Sequence, residues 1–208
     1  MNAPAAALVG VAYLLGSISF AVLLVRLRTG RDIRTEGSGN AGATNVARAH
    51  GKALGIAVAL LDVAKGAGAV LLMRTVTADP RYTAAAGLAA IVGHVFPIFY
   101  GFRGGKGVAT AIGAFLVLAP LPTLVCAVVF LLVVLVTRYV SLGSVLAMVL
   151  LPPVAGALFH APRPIVAAAA GAAVLIVIKH RDNLRRLARG EERRFGTKGP
   201  GKPPGAGP

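Results

Sequence analysis

The sequence predicts an all-α polytopic membrane protein with about seven transmembrane helices. Three observations carry this. The 208-residue chain is 56% hydrophobic and only 14% charged, with a mean hydropathy of +0.76; a soluble domain carries about a quarter charged residues. Its apolar residues fall into runs that approach the ~20 residues a spanning helix needs. The 22 Lys+Arg outnumber the 7 Asp+Glu, and most of the basic residues flank those runs, which argues against nucleic acid as the partner.

The first run covers residues 4–25. No basic residue precedes Arg26, whereas a secretory signal places its charge before the apolar stretch, so this run reads as a first span with the N-terminus outside. Further spans are expected at 53–73, 83–100, 108–121, 122–137, 142–158 and 164–178. The fourth and fifth are separated at Ala119-Pro120-Leu121-Pro122, where two prolines restrict the backbone and remove hydrogen-bond donors. One kinked helix over 108–137 is the alternative, but its length exceeds a single span without strong tilt.

With the N-terminus outside, Arg26, Arg28, Arg31, Arg34, Arg48, Lys52, Arg103, Lys106, Arg138 and the nine Lys and Arg from Lys179 to Lys202 fall inside. Only Arg74, Arg81 and Arg163 fall outside, as the positive-inside rule requires. Residues 1–195 form one transmembrane domain, and the Gly/Pro-rich stretch 196–208 reads as a disordered cytoplasmic tail. Cys126, the one cysteine, lies inside an apolar run and reads as a buried structural thiol.

Three polar segments face inside. The first, residues 36–48, combines glycines with Ser38, Asn40, Thr44, Asn45 and Arg48. Glycines let successive N–H groups converge on an anion, and Arg48 adds a planar fork of donors. In the second, Gly104-Gly105-Lys106-Gly107 stands at the mouth of the fourth span, where unpaired helix N–H groups and a lysine favour phosphate. The Walker A spacing is absent, since Lys106 is followed by glycine. The third, residues 179–192, is basic; if helical, it places His180 and Asn183 on one face with Leu184 and Leu187. A lipid-binding basic helix accounts for its arginines but not for His180 and Asn183. Within the spans, Asp62 and Lys65 read as a mutually neutralising pair, and His94 as a packing residue. His50 and His160 suggest no role.

These segments resemble the bacterial acyl-phosphate:glycerol-3-phosphate acyltransferase family of the PlsY type. The stretches that carry the resemblance are GSGNAGATNVAR (37–48), GHVFPIFYGFRGGKGVAT (93–110) and KHRDNLRRLARGEE (179–192), with LDVAKG (61–66) between them. Leu184 and Asp182 depart from the family pattern, where isoleucine and glutamate are usual. The resemblance implies a seven-span enzyme of the bacterial inner (cell) membrane with its active site at the cytoplasmic face. It would transfer a fatty acyl group from acyl phosphate to the sn-1 hydroxyl of glycerol 3-phosphate, beginning phospholipid synthesis.

The resemblance also implies catalytic roles for Ser38, Arg48, Lys106, His180 and Asn183. It implies substrate-phosphate contacts at Gly37, Asn40, Thr44, Asn45, Gly104, Gly105, Gly107, Thr110 and Glu192. The acyl phosphate head is assigned to the turn at residues 104–107, and the acyl chain to the apolar spans among membrane lipids. The hydroxyl proton goes either to His180, which ordinarily titrates near neutrality, or to the donor's own phosphate; the missing serine–histidine–acid constellation favours the second. Neither a metal, a cofactor nor an obligate protein partner is called for by the residues. A transporter of phosphorylated anions would instead require binding elements on both faces, and a lipid-recruiting scaffold would leave the first two loops without a purpose.

Overall fold

A computed structural model describes residues 3–196 of the chain. The expected tail, apart from Gly196, lies outside these residues. All seven apolar runs form helices, and the helices supply the whole fold. The first run is α1 (Ala3–Gly16) and α2 (Phe20–Thr29), interrupted at Ser17-Ile18-Ser19. Next come α3 (Ala43–His50), α4 (Lys52–Arg74) and α5 (Pro80–Val95). The chain continues through α6 (Val108–Leu118), α7 (Pro120–Thr137), α8 (Val140–Pro153), α9 (Arg163–Lys179) and α10 (Arg181–Ala188).

Among the described residues five spans are long and apolar enough to cross a membrane, and the bent pair α9–α10, taken as one span, makes a sixth. By contrast α6, at 11 residues, is only ~16 Å long, about half the ~30 Å hydrocarbon layer. Residues 108–137 are thus two helices, as the sequence suggests, but the break falls at Ala119. Both prolines occupy the first turn of α7, where a missing N–H costs nothing. Pro152 and Pro153 lie inside α8, which passes into a π-helical turn over Val154–Leu158 as donors are lost from its ladder.

Small residues set the packing. A Cβ on Gly16 would stand 2.1 Å from the Ala90 carbonyl, and one on Gly93 2.2 Å from that of Tyr13, so α1 and α5 touch backbone to backbone. Between α4 and α6 the same holds: a Cβ on Gly66 would lie 2.1 Å from the Thr110 carbonyl, and one on Gly113 1.9 Å from that of Val63. Such contacts bring membrane helices together without a water-driven hydrophobic force. The core between α5, α6 and α9 is closed by Ile91, Phe115 and Ile176, all fully buried. On the outside, α7 exposes Leu131, Leu132, Leu135 and Val136, a lipid-facing surface. Gly113→Ala is expected to cost roughly 1–3 kcal/mol through overpacking, while Gly10→Ala, which meets nothing within 4 Å, gains a few tenths to about 1 kcal/mol. Thermal unfolding in detergent separates the two.

The break in the first span frees a carbonyl inside the bundle. Lys65 answers it, donating to Ile18 O at 2.7 Å while its Nζ lies 2.8 Å from Asp62 Oδ1. The expected pair is therefore formed. His94 also belongs to it, with Nδ1 3.4 Å from Asp62 Oδ1, so it is not a lone packing residue. His50 too has a partner: its Nε2 lies 2.8 Å from Glu36 Oε2.

Candidate active site

The polar connections gather at one end of the bundle. Arg34 donates to Tyr100 O at 2.8 Å, tying the first segment to the second. Lys106 donates to Asn183 Oδ1, tying the second to the third. Arg48 donates to Arg193 O at 3.4 Å, tying the third back to the first. The α7–α8 turn joins them, since Ser141 donates to Glu192 Oε1 at 2.8 Å.

The first segment is not a plain loop. Thr44, Asn45 and Arg48 lie on α3. Its preceding turn is organised by the buried Asn45 side chain. Asn45 Oδ1 accepts from the Ser38 N–H at 2.9 Å, and Nδ2 faces the carbonyls of Ile33, Glu36 and Asn40 at 3.3, 3.0 and 3.1 Å. Gly37 has φ +61°, and a Cβ there would strike Asn45 Oδ1 at 2.3 Å. The Asn45 amide is thus engaged by backbone groups of its own loop. Ser38 stands exposed, and so does Arg48. Gly39 faces Gly104 across a cleft of ≈ 640 Å³, also lined by Arg34, Tyr100 and Arg103.

The glycine turn also differs from the expected anion cradle. Gly104 donates its N–H to Val95 O at 3.3 Å, and Gly105 donates to His94 O at 3.1 Å. These two donors stitch the turn to the end of α5 and are not directed at a ligand. Gly107, at φ +90°, precedes α6, whose N-terminus has no side-chain cap; the first-turn N–H groups there are the donors left for an anion. Thr110 is fully buried against α4.

Glu192 is the hub of the third segment. Its carboxylate accepts from Ser141, from Asn183 Nδ2 at 2.5 Å and from Arg186 Nε at 2.8 Å. A carboxylate would repel phosphate; here it fixes the groups that surround the site. Ser141 and Arg186 were not singled out by the sequence. Ser141 lies 51 residues from Glu192, a separation that local pattern does not bridge.

Electrostatics show what this end is built for. Lys106, Arg48 and Arg186 repel one another, and Arg193 adds to the field at Arg48; among the carboxylates, Glu192 is the one that acts on both Lys106 and Arg48. Burial, with Arg186 and Arg48 nearby, pushes the Lys106 ammonium down to about 8 against the pull of Glu192. His180 is buried, and its Nδ1 lies 2.8 Å from Ile176 O. A carbonyl only accepts, so Nδ1 carries the proton and Nε2 the lone pair. Burial and the Lys106 charge push His180 down to about 4, away from the near-neutral titration expected of it. Beyond His180 the chain turns through 58° into α10, which places Asn183 and Arg186 toward Glu192 and leaves Arg181 and Arg185 exposed.

A bundle of membrane-length helices with excess positive charge at one end defines an integral membrane protein that handles anions at that end. The comparisons narrow this class. The family model described as glycerol-3-phosphate acyltransferase matches residues 6–190. A glycerol-3-phosphate acyltransferase of Geobacter sulfurreducens is 49% identical over 188 residues, covering 90% of this chain and 96% of that protein. One from Anaeromyxobacter dehalogenans (strain 2CP-C) is 46% identical over 193 residues, covering 91% and 96%. A crystal structure of PlsY (YgiH), an integral membrane glycerol 3-phosphate acyltransferase, in its glycerol 3-phosphate form aligns with TM-score 0.87 and 42% identity, covering 93% of this chain and 96% of that one. The lysophosphatidic acid form of the same protein aligns with TM-score 0.84 and 40% identity over the same shares. The chain belongs to the glycerol-3-phosphate acyltransferase family.

Proposed function

We propose that this protein transfers a fatty acyl group from acyl phosphate to the sn-1 hydroxyl of glycerol 3-phosphate, releasing 1-acylglycerol 3-phosphate and inorganic phosphate. The observation that carries this is the convergence of Lys106, Arg48 and Arg186 around Glu192. Both substrates bear phosphate, and the site holds more cationic charge than its own carboxylate neutralises. In this reading short α6 counts as the seventh crossing beside the six membrane-length spans, and the N-terminus lies outside, so that the site faces the cytoplasm of the bacterial inner membrane. Short α6 brings its uncapped N-terminus to this face without a full-length helix behind it.

Acyl phosphate is already activated, so the protein supplies position and charge. Lys106 and Arg48 hold phosphate oxygens, and the acyl chain stays among lipids and apolar helices. The glycerol 3-phosphate hydroxyl attacks the acyl carbon, and the new C–O bond forms as the acyl–phosphate C–O bond breaks. The hydroxyl proton leaves on the departing phosphate. His180 Nε2, with its pKa pushed down to about 4, is a weak base for this task, since an effective general base titrates near the working pH. His180→Ala is accordingly expected to keep more than about a tenth of wild-type turnover, where loss of an essential base costs 10²–10⁴-fold. Steady-state assays on folded protein read this directly.

The donor is tested by offering purified protein palmitoyl phosphate or palmitoyl-coenzyme A, each with glycerol 3-phosphate. Lysophosphatidic acid should form from the first alone. Equal turnover of the thioester would overturn the acyl phosphate assignment.

A further inference from the structure

We propose that Asp62, Lys65 and His94 form a positioning unit that seats Lys106 for acyl transfer, beyond their role as a neutralised group inside the membrane. The inference rests on the proposed role of Lys106. His94 is held at two sides. Its Nδ1 lies 3.4 Å from Asp62 Oδ1, while its ring and carbonyl lie directly beneath the glycine turn. A Cβ on Gly105 would stand 2.1 Å from His94 Nε2 and 3.0 Å from Ala41 O, and one on Gly104 would stand 2.0 Å from His94 O. Gly105 is therefore clamped between His94 and the first polar segment, one residue before Lys106. The Gly105 N–H bond to His94 O completes the clamp.

The remainder of the unit fixes His94. Asp62 holds Lys65 at 2.8 Å, and Lys65 closes the Ile18 carbonyl at 2.7 Å. All three side chains are buried. Asp62 and Lys65 alone neutralise each other and satisfy the broken span, so that task leaves His94 unexplained. Ionisable groups within a span are costly, and apolar replacements of a buried ion pair are often as stable. A task that apolar packing cannot perform accounts for their presence: holding a backbone turn at a set height. His94 Nε2 faces Gly105, which has no side chain to activate, so His94 positions and does not react.

The test compares wild type with His94→Phe, which keeps an aromatic ring, somewhat larger, without the Asp62 contact, and with His94→Gln, whose amide can again face Asp62. A misplacement of about 1 Å costs about 10²-fold in rate, so His94→Phe should lose about that much in kcat. KM for glycerol 3-phosphate should change little, and the thermal midpoint in detergent should stay near wild type, with kcat partly restored in His94→Gln. Labelling of lysines by an amine reagent, read by mass spectrometry, supplies a measure independent of turnover. Lys106 should react faster in His94→Phe than in wild type, with exposed Lys52 unchanged. Wild-type kcat in folded His94→Phe, or a kcat loss that only follows thermal stability across the variants, would overturn the proposal. So would unchanged Lys106 labelling. If wild type shows no acyl transfer while Lys106 labelling still responds to His94, the positioning stands and the acyltransferase assignment fails.

Discussion

Lys106→Ala is expected to reduce acyl transfer by about 10³-fold, at the upper end of what loss of one preorganised charged donor costs. Lys106 is the cation held at the junction of the second and third polar segments, through Asn183. Its removal leaves Arg48 and Arg186 to face two phosphates without a point charge between them. Lys106→Arg should recover only part of the rate, because a planar fork does not replace a compact ammonium. The same residue sets a pH dependence. Burial holds its pKa at about 8, so the charged form prevails below that value and is lost above it. Turnover should fall as pH rises through about 8, and that limb should be missing in Lys106→Arg, whose guanidinium stays charged. A rate profile from pH 6 to 10 on both proteins checks the sign.

Glu192→Ala is expected to be damaging to a lesser degree, through a different physical route. One carboxylate receives Ser141, Asn183 and Arg186. Hydrogen bonds to a charged group contribute roughly 1.5–3 kcal/mol each where they are sheltered. The Arg186 side chain is 42% exposed, and its share is discounted for solvent screening. A net loss of about 2–3 kcal/mol in docking the third segment corresponds to at most roughly 30- to 150-fold in activity if only the docked form turns over, the full drop being reached when docking in the wild type is marginal. Glu192→Gln, which keeps one acceptor, should fall between. Both variants should leave the core of α5, α6 and α9 intact, so limited proteolysis should cut near residues 180–195 and spare the bundle.

The membrane class, the approximate spans and the basic end were legible because they depend on residue type and spacing. Hydropathy marks a helix that must sit in lipid, and charge marks the end that must not. The break near Pro120 was legible too, though the sequence placed it two residues late because proline is tolerated in a helix's first turn. The directions of donors were not legible. Gly104 and Gly105 are glycines as a phosphate cradle requires, yet their N–H groups turn toward Val95 and His94. Asn45 has the chemistry of a ligand, but Ser38 and three carbonyls occupy its amide. Glu192 closes the third motif in the sequence; only the fold reveals that Ser141, Asn183 and Arg186 converge on it. His94 looked solitary because Asp62 lies 32 residues earlier, on a neighbouring helix.

The most direct test of the central claim is product stoichiometry. Purified wild-type protein in detergent is given palmitoyl phosphate with and without glycerol 3-phosphate, and released phosphate and lysophosphatidic acid are both measured. The account predicts phosphate release that depends on glycerol 3-phosphate and equals the lysophosphatidic acid formed. Folded, monodisperse protein that releases no phosphate under these conditions, or releases it at the same rate without the acceptor, would contradict it.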